Sequence, residues 1–178
     1  MCMKYNGVEF EAIVATPGCG KSYLCDRYPE KYVDVDELRL RCKYIVPENI
    51  TRQELERTKG NRDFKRREGK KDAYLVLLKQ KLVDALSEGK VLICAPHPEV
   101  INILKQLGLK YCFVFPSKEM KDEIKQRMID RGNSSQMIQE NYSIADRLYE
   151  QNLKETDSTV KYLFGHGEYL EEILKKFQ

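Results

Sequence analysis

The run Ala12-Ile13-Val14-Ala15-Thr16-Pro17-Gly18-Cys19-Gly20-Lys21-Ser22-Tyr23-Leu24-Cys25-Asp26 decides how this chain is read. Its apolar start belongs to a buried strand expected from Glu11 to Ala15, and Tyr23-Leu24-Cys25-Asp26 begins a helix. Between them, Gly18 and Gly20 let the backbone bend so that successive N–H groups point at one anion. Thr16, Pro17, Cys19 and Tyr23 complete or border that loop. The arrangement predicts binding of a nucleoside triphosphate, with Lys21 reaching the β- and γ-phosphates and the Ser22 hydroxyl on Mg²⁺. Ala15 stands where the strict G-x-x-x-x-G-K-S/T form has its first glycine. A glycine-rich turn that binds nothing is the competing reading, and the match of both flanks weighs against it.

Outward from this run, strands and helices alternate. Pro29 ends the first helix near Tyr28. Lys31 to Asp36 reads as a second strand with carboxylates at its end. The stretch 37–72 is polar and reads as an insert, with a capping-box pattern in Thr51-Arg52-Gln53-Glu54. Tyr74, Leu75, Leu78, Leu82 and Leu86 share one side of a helix expected from Asp72 to Ser87, which Gly89 closes. Lys90 to Ala95 is the third strand, Pro98 to Leu107 a helix, and Tyr111 to Phe115 the fourth strand. A charged helix is expected from Pro116-Ser117 through Arg131, broken by Gly132. Another follows from about Ser135 to Glu155, burying Met137, Ile138, Tyr142, Ala145, Leu148 and Tyr149. Val160 to Phe164 is the fifth strand, and Glu168 to Phe177 the closing helix. The expectation is one α/β domain over residues 1–178, with a parallel sheet covered by helices on both faces.

Composition sets the outer bounds. The 178 residues are 42% hydrophobic and 33% charged, which suits one highly charged globular domain. A net charge of +3 carries no general affinity for nucleic acid, so any basic surface must be local. No apolar run approaches a membrane span and Met1-Cys2-Met3-Lys4-Tyr5 lacks a signal pattern, so a cytoplasmic protein without membrane contact is expected. Six cysteines with no C-x-x-C pair argue for reduced, mostly buried thiols rather than zinc. Cys19 is the exception: in a phosphate loop it is expected to be exposed and open to oxidation.

Two further constellations carry chemistry. Asp34 and Asp36, two apart on a strand, would face one side, and the third strand offers no carboxylate. One of the pair can hold Mg²⁺ while the other accepts a proton from an attacking hydroxyl. Arg127 and Arg131 share a helix face just before Gly132 and would close over a transferring phosphoryl group, with Arg147 as a further contributor. Surface ion pairing, such as Glu123 with Arg127, is the alternative. Gly165-His166-Gly167 offers a loop to approach an adenine ring, or an ordinary turn. His97, between Pro96 and Pro98, is read as a structural histidine.

Taken together, these residues resemble the nucleoside- and nucleotide-kinase group of P-loop proteins, over the whole chain. The D-x-D on the second strand is more similar to shikimate- and gluconate-type kinases and polynucleotide kinases than to adenylate kinase. Phe115-Pro116-Ser117 and Arg131-Gly132-Asn133 look like small phage-encoded kinases acting on nucleotides or modified DNA bases. The resemblance implies a three-layer α/β/α fold, a five-stranded sheet of order 2-3-1-4-5, a substrate-binding insert at 37–72 and an arginine lid at 118–134. It also implies ATP with Mg²⁺, Asp34 supporting the metal, Asp36 as base or substrate anchor, and Arg127 and Arg131 as lid arginines.

Three readings of function follow. The leading one is a phosphotransferase acting on a nucleoside or nucleotide. A kinase acting on DNA, at a 5′-hydroxyl or a hydroxymethylated base, is favoured by the cations Arg57, Lys59, Arg62, Lys65, Arg66, Arg67, Lys70 and Lys71. A nucleotide-binding switch is the third, and an acceptor base and lid arginines speak against it.

Overall fold

A computed structural model describes residues 2–51, 54–55, 64–67, 73–136, 138–139, 149–150, 153–154, 156 and 158–177. The chain opens on a small antiparallel hairpin, β1 (Met3–Tyr5) with β2 (Val8–Phe10). Its turn is Asn6-Gly7, both at positive φ (50° and 81°), the turn chemistry that two-residue hairpins favour.

The main sheet has five parallel strands: β3 (Ala12–Ala15), β4 (Tyr32–Asp34), β5 (Val91–Cys94), β6 (Tyr111–Pro116) and β7 (Val160–Phe164). Their order across the sheet is β4-β5-β3-β6-β7. Ile13 stands beside Ile93 on one side and Cys112 on the other, so β3 is central and its residues are fully buried. Side chains alternate across a strand, so β3 feeds two cores. Ile13 and Ala15 pack with Leu24, Val114, Phe164 and Ile173, under α1 (Lys21–Arg27) and α6 (Leu170–Leu174). Ala12 and Val14 pack with Leu78, Leu82, Leu104 and Phe113, under α3 (Ala73–Ser87) and α4 (Pro98–Gln106). Strands buried on both faces need no polar alternation, which is why they read as continuous apolar runs.

Two expectations about element ends are corrected. The second strand stops at Asp34, and α2 (Val35–Lys43) begins at once, because an Asp34 oxygen accepts the Glu37 N–H at 3.0 Å and caps the helix. Asp36 and Glu37 then sit in its first turn, where carboxylates complement the helix dipole. Likewise no helix starts at Pro116-Ser117. β6 continues through Pro116, and the Ser117 N–H donates to the Phe164 carbonyl at 2.9 Å, so pairing extends past the proline. A 3₁₀ turn (Lys118–Met120) then leads into α5 (Lys121–Asp130).

Within 37–72, the described residues fold back on themselves. Ile45 N–H donates to Lys65 O at 2.9 Å and Arg67 N–H to Lys43 O at 3.0 Å. Thr51 and Glu54 form their reciprocal cap, with Thr51 N–H on Glu54 at 2.9 Å and Glu54 N–H on Thr51 Oγ1 at 3.2 Å. Arg57, Lys59, Arg62, Lys70, Lys71 and Arg147 lie outside the described residues, as do Met137, Tyr142, Ala145 and Leu148. No helix among the described residues is long and apolar enough to cross a membrane.

Candidate active site

The loop between β3 and α1 forms the centre of the site. Gly18 and Gly20 take φ of +81° and +89°, in the region glycine enters without steric cost. Lys21 leads α1 and turns its ammonium back, donating to Ala15 O at 2.8 Å and Thr16 O at 3.1 Å. The cation is thus seated on the carbonyls where the loop begins. Thr16 is buried, its N–H held by Val114 O at 3.2 Å, and its Oγ1 has no hydrogen-bond partner among the described residues. Pro17 is half-buried beside it, and Tyr23 stands exposed on the outer face of α1, accepting a hydrogen bond from Arg27.

Cys19 is not exposed, contrary to expectation. The two flanking left-handed glycines turn its side chain inward, where it joins the core beneath the loop. Its Sγ donates to Thr16 O at 3.0 Å, and burial pushes the thiol pKa up. A buried, protonated thiol is a poor target for oxidation. Its carbonyl accepts the Leu170 N–H at 2.7 Å, which ties the loop to the start of α6.

Arg127, on α5, and Arg131, its C-cap, both reach this loop, in different ways. Arg127 is only 8% exposed and pairs with Glu123. It donates to Gly18 O at 3.2 Å and Glu168 O at 3.0 Å, and its guanidinium carbon lies 3.9 Å from the Tyr169 ring centroid. This is a guanidinium already committed to loop carbonyls, a carboxylate and an aromatic face. Arg131 instead donates from Nη2 to Ser22 Oγ at 3.1 Å, from an exposed position.

The loop after β7 completes this side. Gly165 N–H donates to Glu168 Oε2 at 2.8 Å. His166 is exposed and its Nδ1 shares a hydrogen bond with Glu123 Oε2 at 2.8 Å, while Gly167 N–H donates to Glu123 Oε1 at 3.1 Å. These contacts, His166 foremost, hold the Glu123 carboxyl below the usual range. Lys176 and the Gly165 N–H do the same for Glu168. Glu123 and Glu168, which carried no motif signal, are therefore the hubs that fix the Gly-His-Gly loop to α5 and α6.

On the opposite side, the two aspartates do not share a strand face. Asp34 is buried at the end of β4 with an oxygen on the α2 cap. Asp36, two residues further in the first turn of α2, accepts the Ala95 N–H at 3.3 Å. The carboxylate missing from the end of β5 is thus delivered there by α2. His97 caps α4, and burial, then Arg39, lower its pKa, which keeps the imidazole neutral near pH 7. As oxygen donors, Ser22, Asp34 and Asp36 are the donor chemistry a hard cation such as Mg²⁺ takes.

Comparison with known proteins adds little. No family model and no curated protein matches the chain. A solved structure, "Crystal structure of uncharacterized protein from Eubacterium ventriosum ATCC 27560", is similar to it at 13% identity and a TM-score of 0.47, covering 92% of each chain. That likeness carries no argument about function, which rests on the site itself.

Proposed function

We propose that the protein is a phosphotransferase that moves the γ-phosphoryl group of ATP, with Mg²⁺, to a nucleoside or nucleotide acceptor. One observation carries the reading: the loop with Gly18 and Gly20 at positive φ, the Lys21 ammonium seated at its mouth, and two arginines, Arg127 of α5 and Arg131 at its C-cap, converging on it. Backbone N–H groups of such a loop bind phosphate oxygens, and Lys21 adds the neutralising charge. Ser22 and Asp34 would hold Mg²⁺, which supplies charge neutralisation on the phosphates. The acceptor hydroxyl oxygen attacks the γ-phosphorus and the bond to the β–γ bridging oxygen breaks, so that ADP leaves. The hydroxyl proton passes to the Asp36 carboxylate. Arg131, exposed beside Ser22, is the arginine suited to the transferring group. Arg127 serves as a positioning residue, since its Nη1 already holds Gly18 and Glu168 and its Nη2 holds Glu123.

The test is transfer of label from γ-labelled ATP, with Mg²⁺, to a panel of nucleosides, nucleoside monophosphates and short DNA oligomers. Label in a nucleoside or nucleotide is the expected result. Label in DNA moves the reading to a DNA kinase that uses the basic residues around Lys65, Arg66 and Arg67. Free phosphate alone, with no labelled acceptor, defeats phosphotransfer in favour of a nucleotide-driven switch.

A further inference from the structure

A second polar cluster stands beside Asp36, at the C-terminal ends of β4 and β5. Arg39 lies three residues beyond Asp36 on α2, so the two share a helix face. Its Nη1 is 3.6 Å from Oε2 of Glu99, in the first turn of α4. That is an ion pair, but too long for a hydrogen bond. The Arg39 side chain is 12% exposed and that of Glu99 42%, while the atoms Arg39 Nε and Glu99 Oε2 are themselves buried. Neither atom has a hydrogen-bond partner among the described residues.

Two such atoms are costly. A buried guanidinium N–H and a buried carboxylate oxygen each lose their water, and each normally recovers a hydrogen bond from the protein. Here a donor and an acceptor are left open side by side. They are complementary to a ligand that presents an acceptor next to a donor, which fills both at once.

The surrounding charges narrow the class. Lys43 lies 5.8 Å from the Tyr74 ring centroid, and the Tyr74 hydroxyl acts on the Glu99 carboxyl. Tyr74 foremost, then Arg39, hold the Glu99 carboxyl below its usual range, so it stays ionised as an acceptor. Among the described residues, the cations Arg39 and Lys43 stand beside the carboxylates Asp36 and Glu99, and Arg66 acts on the Tyr74 side of the cluster. A phosphate dianion placed here would face two carboxylates, whereas a neutral hydrogen-bonding group meets no such repulsion.

We infer that Arg39 and Glu99 read the phosphoryl acceptor, and that this acceptor is a neutral nucleoside rather than a nucleoside monophosphate. Arg39 Nε donates to a carbonyl or ring nitrogen of the base, and Glu99 Oε2 accepts from the neighbouring N–H. The inference rests on the phosphotransferase reading and specifies its acceptor. It also places the base one helical turn from Asp36, the group assigned to the acceptor hydroxyl.

The test is calorimetric titration, in the absence of ATP, of nucleosides carrying each common base and of their 5′-monophosphates. It is run on the wild type, Glu99→Gln and Arg39→Lys, with binding of a fluorescent N-methylanthraniloyl ATP measured separately on each. The expected result is a nucleoside that binds the wild type more tightly than its own monophosphate does. Glu99→Gln, which replaces an acceptor oxygen by a donor of the same shape, should weaken that nucleoside by about tenfold or more. Arg39→Lys, which removes the fixed guanidinium fork, should weaken it as well. Tighter binding of the monophosphate, no binding of any nucleoside, or wild-type affinity in both variants overturns the inference. The wild-type ranking needs no variant, so a variant that fails to fold leaves that judgement standing. Failure of the wild type to bind the ATP analogue defeats the phosphotransferase reading instead, and the nucleoside titration still judges the Arg39–Glu99 pair.

Discussion

Gly18→Ala asks the most of the phosphate-loop reading. At φ +81° an alanine suffers the left-handed penalty, roughly 1–2 kcal/mol. Its Cβ would also stand 3.2 Å from Ile124 Cγ2 and 3.3 Å from Cδ1. Those are ends of a flexible side chain, so the contact is relieved by a shift of a few tenths of an ångström, at the expense of α5 packing. The total is about 2 kcal/mol, or a fall of roughly 4–8 °C in melting temperature for a chain of this size. Gly108→Ala is the matched control: φ is +67° and nothing lies within 4 Å of the added methyl. It should lose only the backbone term, about 1 kcal/mol or more. The assays are differential scanning calorimetry and titration with fluorescent ATP analogue. If the loop amides hold phosphate, Gly18→Ala should weaken nucleotide binding well beyond what its melting temperature implies, because the backbone strain is relieved by moving those amides. Gly108→Ala should bind as the wild type does. Equal affinities in Gly18→Ala and wild type would refute the assignment of this loop to phosphate.

Other outcomes test separate parts of the reasoning. Lys21→Ala should abolish label transfer from ATP, and Asp36→Asn should keep binding of the ATP analogue while transfer falls at least about a hundredfold; near-full turnover in Asp36→Asn removes it as the base. Leu82→Ala, at a fully buried position between α3 and the sheet, should cost about 2–5 kcal/mol in urea unfolding, and a loss under 1 kcal/mol would mean the site collapses freely. Glu123 has its folded pKa depressed, mainly by His166, so its stabilising contribution is complete above the ordinary value of 4.5 and disappears as pH falls through the lowered value. The stability gap between wild type and Glu123→Gln should therefore narrow below that pH, and a gap that widened on acidification would contradict the sign.

The inner strands β3, β5 and β6 were legible because each is a short apolar run bounded by turn residues or polar stretches, the signature of parallel strands buried on both faces, while the edge strands β4 and β7 carry Asp34 and Lys161 and showed themselves by β-branched and aromatic residues. Asp34-Val35-Asp36-Glu37 was harder. It fits a strand end by alternation and a helix start by its capping oxygen and acidic first turn, and the Glu37 N–H decides for the helix. Arg127 and Arg131 were visible as a spaced pair. That Arg127 is buried depends on Glu168 and Tyr169, some forty residues later, and no local pattern reports that. The inward turn of Cys19 needed both neighbouring backbone angles at once. Arg39 and Glu99 lie on different helices and meet only because β4 and β5 are neighbours in the sheet.

The hydrogen bond from Leu170 to the Cys19 carbonyl, with Arg127 bridging Gly18 and Glu168, sets an order of events during synthesis. The loop leaves the ribosome before the segments that latch it, which follow more than a hundred residues later. Until then the Gly18 and Cys19 carbonyls lack their partners and the core beneath α1 is open. Nucleotide-binding competence should therefore appear late and abruptly on a nascent chain, when residues around 168–174 emerge, rather than growing with chain length. Stalled chains of graded length, probed with the ATP analogue, would show that step.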